Sequence, residues 1–249
     1  DVTEAHAARE RQQRNERLAA MGQMAARFAH QLRTPLATAM LYADRLERPG
    51  IGERERADIG QRILARLRNL ERVTREMLRF VSGERAPEQH IEVQSLLGEA
   101  ADVMAPLMAA RDNAFICEDH SDGAILLGDR RGLAAALLSL LENAAQATPQ
   151  GGKVHIQGTA NSAQIRIQVN DSGSGIAPDA LPRVFEPFYS TRTDGTGLGL
   201  AIVKSVVEAH GGTIEVASTE RTGTCFTLTL PRCRQAAPRL LDATEREAA

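Results

Sequence analysis

The chain has 249 residues, enough for one or two ordinary domains, and 43% apolar with 25% charged residues is the composition of a globular protein. Its net charge of −2 supplies no bulk attraction to nucleic acid or to an anionic membrane surface, so direct nucleic-acid binding is not expected. The longest nearly unbroken apolar run, Gly132 to Leu141, is about half of the roughly 20 residues needed to cross a bilayer, so no membrane span is expected either.

Residues 1–17, with their charged run from Arg9 to Arg17, predict a solvated helical linker. From Glu4 to about Glu47 only Gly22 and Pro35 interrupt a helical composition, and apolar or small residues recur at Leu18, Met21, Ala25, Phe28, Leu32, Ala39, Ala43 and Leu46. Steps of three and four make this the seam of a coiled coil or helical bundle. Pro49-Gly50-Ile51-Gly52 breaks the helix, and a second stripe at Ile59, Ile63, Leu67, Leu70, Thr74, Met77 and Val81 predicts the returning arm of a helical hairpin. One hairpin buries too little surface to stand alone. Pairing two into a four-helix bundle satisfies both seams, so residues 18–86 are expected to form a homodimer.

Arg85-Ala86-Pro87 reads as a hinge, after which the pattern changes to mixed helices and strands over residues 87–232. A helix is expected near Val93 to Ala110, strands near Ala114–Cys117 and Ala124–Gly128, and a helix from the N-cap Asp129 to Ala147. The alternating segments Lys153–Gly158 and Gln164–Val169 predict a strand pair with one covered face. A long irregular stretch, Ser172 to Thr196, exceeds a mere connector. A helix from about Gly197 to His210 and a last strand pair, Thr213–Ala217 and Thr224–Leu230, complete an α+β sandwich, with residues 233–249 as a flexible tail. Cys117, Cys225 and Cys233 are odd in number and lack metal-ligand spacing, so reduced thiols in a cytoplasmic setting are expected. The first residue is Asp1 and no charged-then-apolar leader precedes the helix, so the sequence reads as a piece of a longer protein with its sensing region elsewhere.

Three segments carry chemistry. At about 100° per residue, His30 lies roughly 200° from Phe28 and roughly 160° from Leu32, which turns it away from the seam toward solvent. Thr34 shares its face, Arg27 and Arg33 flank it, and Pro35 lacks an N–H, which places a bend within a turn of it. Asp171-x-Gly173-x-Gly175, at a strand's end, gives backbone freedom around one carboxylate, and Gly195-x-Gly197-x-Gly199, opening a helix, offers N–H groups to phosphate. The pattern is neither Rossmann nor Walker: no βαβ unit is headed by the second cluster and no Gly-Lys-Ser/Thr follows it.

In this order, the segments resemble the catalytic core of a sensor histidine kinase. Residues from about Asp129 to Pro231 resemble the ATP-binding fold shared by gyrase, the Hsp90 chaperones, histidine kinases and MutL proteins. The resemblance implies that His30 attacks the γ-phosphate of ATP, and that Leu140-Leu141-Glu142-Asn143-Ala144-Ala145 is an N-box with Asn143 as a side-chain ligand of Mg²⁺. It implies that Asp171 accepts from the adenine amino group while Gly173 and Gly175 let the backbone close on the base. Phe185-Glu186-Pro187-Phe188 resembles the F-box of a lid, in which Arg192 faces phosphate. Gly195, Thr196, Gly197, Leu198 and Gly199 would wrap the phosphates, and Thr224 lies where the family often places a threonine near adenine.

Three positions depart from the family pattern, one of them Arg192, which stands where Lys is common in the lid and meets phosphate with a planar fork. Gln31 stands where Glu or Asp usually orients the histidine and takes up its proton; an amide oxygen fixes the tautomer but is no base. Ser139 stands four residues before Asn143, where ATP-hydrolysing relatives carry a catalytic Glu, which disfavours a gyrase-like or chaperone ATPase. The family reading implies Mg²⁺- and ATP-dependent autophosphorylation of His30, then transfer to an aspartate of a response regulator. Thr34 matches the position that orients water for dephosphorylation, so the alternative is an ATP-binding module acting mainly as phosphatase or sequestering partner. The run from His30 to Leu36 also resembles kinases that govern flagellar genes, whose regulator would be a flagellar transcription activator.

Overall fold

The computed structural model describes residue 29 and residues 32–82, 88–192 and 195–233. These fall into two compact units, one holding the described residues up to Ser82 together with those of Pro178–Ser205, the other those of Ala86–Ala177 and Val206–Ala249. The expected acceptor His30, its neighbour Gln31, the early seam residues Leu18, Met21, Ala25 and Phe28, the expected hinge at Arg85–Pro87 and the tail beyond Cys233 lie outside the described residues.

In the first unit, helix α1 (residues 32–46) and helix α2 (Glu53–Ser82) are separated by a short turn in which Gly50 has φ 91°, a left-handed conformation that glycine adopts at no steric cost. Glu53 and Glu55 lie in the first turn of α2, where the helix dipole favours negative charge. Arg45 reaches across the turn to Glu55 at 2.6 Å, and the Arg62 guanidinium lies 5.9 Å from the Tyr42 ring centre, so the closed end of the hairpin is held by contacts from both arms. The helix runs through Pro35, which is buried, and the Thr38 hydroxyl donates to the Thr34 carbonyl at 2.8 Å in the turn that follows.

Burial separates two seams where the sequence predicted one. Pro35, Ala39, Ile59 and Val73 are buried, with Tyr42, Leu46, Ile63 and Leu70 half-buried, and these form the seam within the hairpin. Leu36 and Met40 on α1, with Leu64, Leu67 and Leu78 on α2, are exposed and run beside it at the same helical spacing. Leu67, Thr74 and Ala43, which the sequence pattern put in the inner stripe, are exposed. Steps of three and four fit either row, so the pattern by itself does not divide the inner residues from the exposed ones.

The second unit is a sandwich built on a mixed sheet. Strand β1 (Gln89–Glu92) pairs antiparallel with β3 (Ile125–Gly128) as a small separate sheet. Four residues are too few for a period to declare itself, so β1 escaped the sequence pattern. Helix α3 (Val93–Ala110) leads to β2 (Ala114–His120), followed after β3 by α4 (Arg130–Ala147), β4 (Lys153–Ala160), β5 (Gln164–Asp171), the end of α5 (Gly199–Ala209), whose residues up to Ser205 belong to the first unit, β6 (Thr213–Thr219) and β7 (Gly223–Pro231). The five-stranded sheet has the order β2-β4-β5-β7-β6; β2 runs parallel to β4 and every other pairing is antiparallel. The strand pairs β4–β5 and β6–β7 are those the alternation predicted.

One face of the sheet is covered by α3 and α4, and three successive rows across it are apolar. Ile156, Val169, Phe226 and Val216 make one row in register, and Ile167, Leu228 and Ile214 belong to the next. Fully burying each such side chain contributes about 1.5–3 kcal/mol. Asp129 caps α4, its carboxylate accepting from the Arg131 N–H at 2.9 Å, as the sequence predicted. His210, just past α5, accepts the Asp129 N–H through Nε2 at 2.9 Å while Nδ1 faces the Val206 carbonyl at 2.7 Å. A backbone N–H only donates, so the ring holds its proton on Nδ1 and ties the end of α5 to the start of α4.

Candidate functional site

The fourth row of the covered face breaks the apolar pattern. Asp171 on β5, Thr224 on β7 and Ser218 on β6 are in register there, at the end of the sheet, and all three occupy inward positions. A carboxylate and two hydroxyls therefore stand where the same face elsewhere carries Ile, Val, Leu and Phe. Asp171 Oδ1 accepts from the Gly173 N–H at 2.8 Å and from the Thr224 N–H at 3.3 Å. With both amides on Oδ1, Oδ2 is left for a ligand donor. Burial pushes the Asp171 carboxyl above the ordinary aspartate value, against the pull of those two amide bonds.

The loop after Asp171 is clamped from two sides. Gly173 lies against the end of α4, where an added Cβ would come within 2.7 Å of the Ala147 carbonyl, and the Ser174 N–H donates to that carbonyl at 3.3 Å. Gly175 has φ 71°, and a Cβ there would collide with the Thr219 carbonyl in the β6–β7 hairpin. On that side the Arg221 N–H donates to Ser174 at 2.7 Å and the Ile176 N–H donates to the Ser218 hydroxyl at 2.9 Å. Asn143 sits one turn before Ala147 on α4, half-buried, with Ser139 a further turn back on the same face and Glu142 exposed. The fold thus brings Asn143's helix end, Asp171, Gly173, Gly175 and Thr224 to one end of the sandwich.

The remaining described candidates lie in the other unit. Phe188 has φ 64°, an uncommon backbone state for an aromatic residue, and its N–H donates to the Gly197 carbonyl at 2.8 Å. Gly197, at φ 68°, lies so close to Phe188 that a Cβ would meet its backbone, and this turn delays the start of α5 to Gly199 rather than Gly197. The Thr196 hydroxyl accepts from the Leu198 N–H at 3.3 Å, in the manner of a helix cap, and both residues are buried. Gly195 donates its N–H to the Arg192 carbonyl at 3.3 Å, and the exposed Arg192 is held through its backbone by the Ser190 hydroxyl at 3.0 Å. Arg183 stacks on Tyr189 at 4.3 Å and bonds Glu186 at 3.1 Å, so the segment around Phe185–Phe188 is braced locally. On α1, Thr34 is exposed.

Residues 20–86 match the His Kinase A (phospho-acceptor) domain family, and residues 128–234 match the histidine kinase-, DNA gyrase B- and HSP90-like ATPase family. The chain is 35% identical to sensor histidine kinase ZraS of Escherichia coli over 88% of this chain and 47% of that protein. It is 38% identical to sensor protein kinase FleS of Pseudomonas aeruginosa over 93% of this chain and 57% of that protein. Among solved structures, histidine kinase ThkA in complex with response regulator protein TrrA superposes with a TM-score of 0.77 at 26% identity, over 94% of this chain and 68% of that one. The chain belongs to the sensor histidine kinases. It spans about half the length of the two sequence relatives and carries the catalytic core of the family.

In this kinase core, Asp171, Asn143 and Thr224 lie on the elements the sequence pattern gave them, while Ser218, beside Thr224, carried no expectation. The missed signal is visible in retrospect: Ile214, Val216 and Ser218 occupy the inward phase of β6, and the last is polar. Cys117, Cys225 and Cys233 form no disulfide, and burial with the nearby Asp119, Asp102 and Glu118 pushes the Cys117 thiol up. Among the described residues no helix is long and apolar enough to cross a membrane.

Proposed function

We propose that this chain acts as a Mg²⁺- and ATP-dependent autokinase whose acceptor is His30, and that the phosphoryl group then passes to an aspartate of a response regulator. The observation that carries the reading is one chain joining a phospho-acceptor match over residues 20–86 to an ATPase-family match over residues 128–234 in which Asp171 and Thr224 form a polar end to an apolar layer. Asp171 Oδ2 takes the adenine amino group, Thr224 lies beside it, and Gly173 and Gly175 hold the backbone close to the base. Gly195, Thr196, Gly197, Leu198 and Gly199 wrap the phosphates, with Arg192 adding charge. Asn143, half-buried on α4, fits as the single protein ligand of Mg²⁺, an ion that keeps waters and takes phosphate oxygens. When bound, Mg²⁺ supplies neutralisation of phosphate charge.

An imidazole nitrogen of His30 forms the new N–P bond as the bond from the γ-phosphorus to its bridging oxygen breaks and ADP departs. The proton on the other ring nitrogen goes to water or a carboxylate, because Gln31 accepts its hydrogen bond without taking it up. Positioning and charge neutralisation, rather than a strong base, carry such a transfer. The exposed apolar stripe of Leu36, Met40, Leu64, Leu67 and Leu78 supports a homodimer, since a four-helix bundle would bury it. ThkA was solved with a response regulator, which supports a receiver domain as the partner here. The resemblance to kinases of flagellar genes makes a flagellar transcription activator the regulator to try first.

A second reading, a module acting chiefly as phosphatase or sequestering partner, draws on Gln31 and on the exposed Thr34 of α1. Incubation with γ-labelled ATP separates the two. The autokinase reading expects acid-labile, base-stable label on the wild type and none on His30→Gln, with Gln31→Glu labelling faster. Absence of label from the wild type, together with loss of label from a phosphorylated regulator, would select the second.

A further inference from the structure

Ser218 lies at the base-binding end of the sandwich yet has no assigned part in it. Its hydroxyl makes three contacts: the Ile176 N–H at 2.9 Å, the Gly223 carbonyl at 2.9 Å and the Thr224 hydroxyl at 3.0 Å. A serine hydroxyl has one hydrogen and two acceptor sites. The amide of Ile176 can only donate and the carbonyl of Gly223 can only accept. One placement of protons makes all three contacts hydrogen bonds: Ser218 donates to Gly223, and the Thr224 hydroxyl donates to Ser218. The Thr224 hydrogen is then committed, and what its oxygen offers a ligand is lone pairs alone.

We infer that Ser218 is a positioning residue that fixes the Thr224 hydroxyl as an acceptor, so that Asp171 and Thr224 together present an all-acceptor edge to the base. This rests on the reading of Asp171 and Thr224 as the base site. Set against position 6 of the base, such an edge accepts the hydrogens of the 6-amino group of adenine and repels the lone pairs of a 6-oxo oxygen, leaving a 6-oxo purine only its N1–H to donate. Ser218 also holds the Ile176 N–H and so anchors the loop that Gly175 turns. Its role is distinct from a packing role because it concerns the direction of a proton, and that direction has its own readout.

The experiment titrates ATP and ITP, which carries a 6-oxo group in place of the amino group, into the wild type, Ser218→Ala, Thr224→Val and the double variant by calorimetry. Freed from Ser218, the Thr224 hydroxyl can donate to the 6-oxo oxygen, so Ser218→Ala should narrow the preference for ATP over ITP by about three- to tenfold, the worth of one hydrogen bond. In the Thr224→Val background the same change should narrow it no further. A loss of affinity that is equal for both nucleotides, or an equal narrowing in both backgrounds, would overturn the inference and leave Ser218 a structural residue. Asp171→Asn, run alongside, keeps the two failures apart: unchanged ATP affinity in that variant removes the base site itself, whatever Ser218 does.

Discussion

The sandwich and the hairpin treat their apolar residues in opposite ways. Ile156, Ile165 and Ile167 are fully buried, whereas Met40, Leu41 and Leu78 keep 65%, 71% and 63% of their surface exposed. Hydrophobic stabilisation scales with area removed from water, so the first region draws its stability from within one chain and the second still has much of its own to gain. A domain that must hold a base in fixed geometry benefits from a closed core. A helical hairpin with an exposed apolar stripe can leave part of its stability to association.

The largest test of this contrast strikes the closed core. Ile167→Ala should destabilise the sandwich by about 2–5 kcal/mol, because the neighbours of a fully buried side chain cannot relax into the cavity. Chemical denaturation should give the same loss at every protein concentration; a concentration-dependent loss would mean the sandwich too relies on a partner. Leu67→Glu should instead act through association. A carboxylate in the exposed stripe weakens the dimer by about tenfold or more, read by analytical ultracentrifugation, while the melting of the sandwich stays where it was. An unchanged dimer would place the interface elsewhere on the hairpin.

The smallest effect comes from Asp171, where function and stability are opposed. Its carboxyl titrates above the value it has in the unfolded chain, so its favourable contribution is complete below the ordinary aspartate pKa of about 3.9 and is lost as pH rises through the folded value. Asp171→Asn keeps an oxygen for the Gly173 and Thr224 amides and removes the charge. The ligand-free variant should therefore melt slightly higher than wild type at pH 7, with the gap closing toward pH 3, while its ATP affinity falls. The gap is small because the group is partly solvated. A lower melting temperature at pH 7 would show that the amide bonds to the charged form outweigh the cost of burial.

Much of this was legible in the residues. Asp129 as a cap, the glycine break after Pro49, and the alternation of Lys153–Gly158 and Gln164–Val169 are local signals, set by backbone preference and period; each lies where it was expected, the two strands running two residues further. What escaped had no local signature. Strand β1 is four residues long, and Leu67 and Thr74 fit an inward stripe equally well as members of a second, outward one. Ser218 is an ordinary strand residue until β7 brings Thr224 opposite it and the Ile176 amide beside it.

By itself, the sequence determined the element types, the order of the acceptor and nucleotide segments, and membership of the kinase family, because periodicity, capping and glycine placement act within a few residues of one another. The tertiary structure alone decided which polar groups share the end of the sheet, which oxygen of Asp171 takes the two amides, and which hydroxyls meet beside it. Those are matters of register and hydrogen-bond inventory between strands far apart in the chain, and no local pattern encodes them.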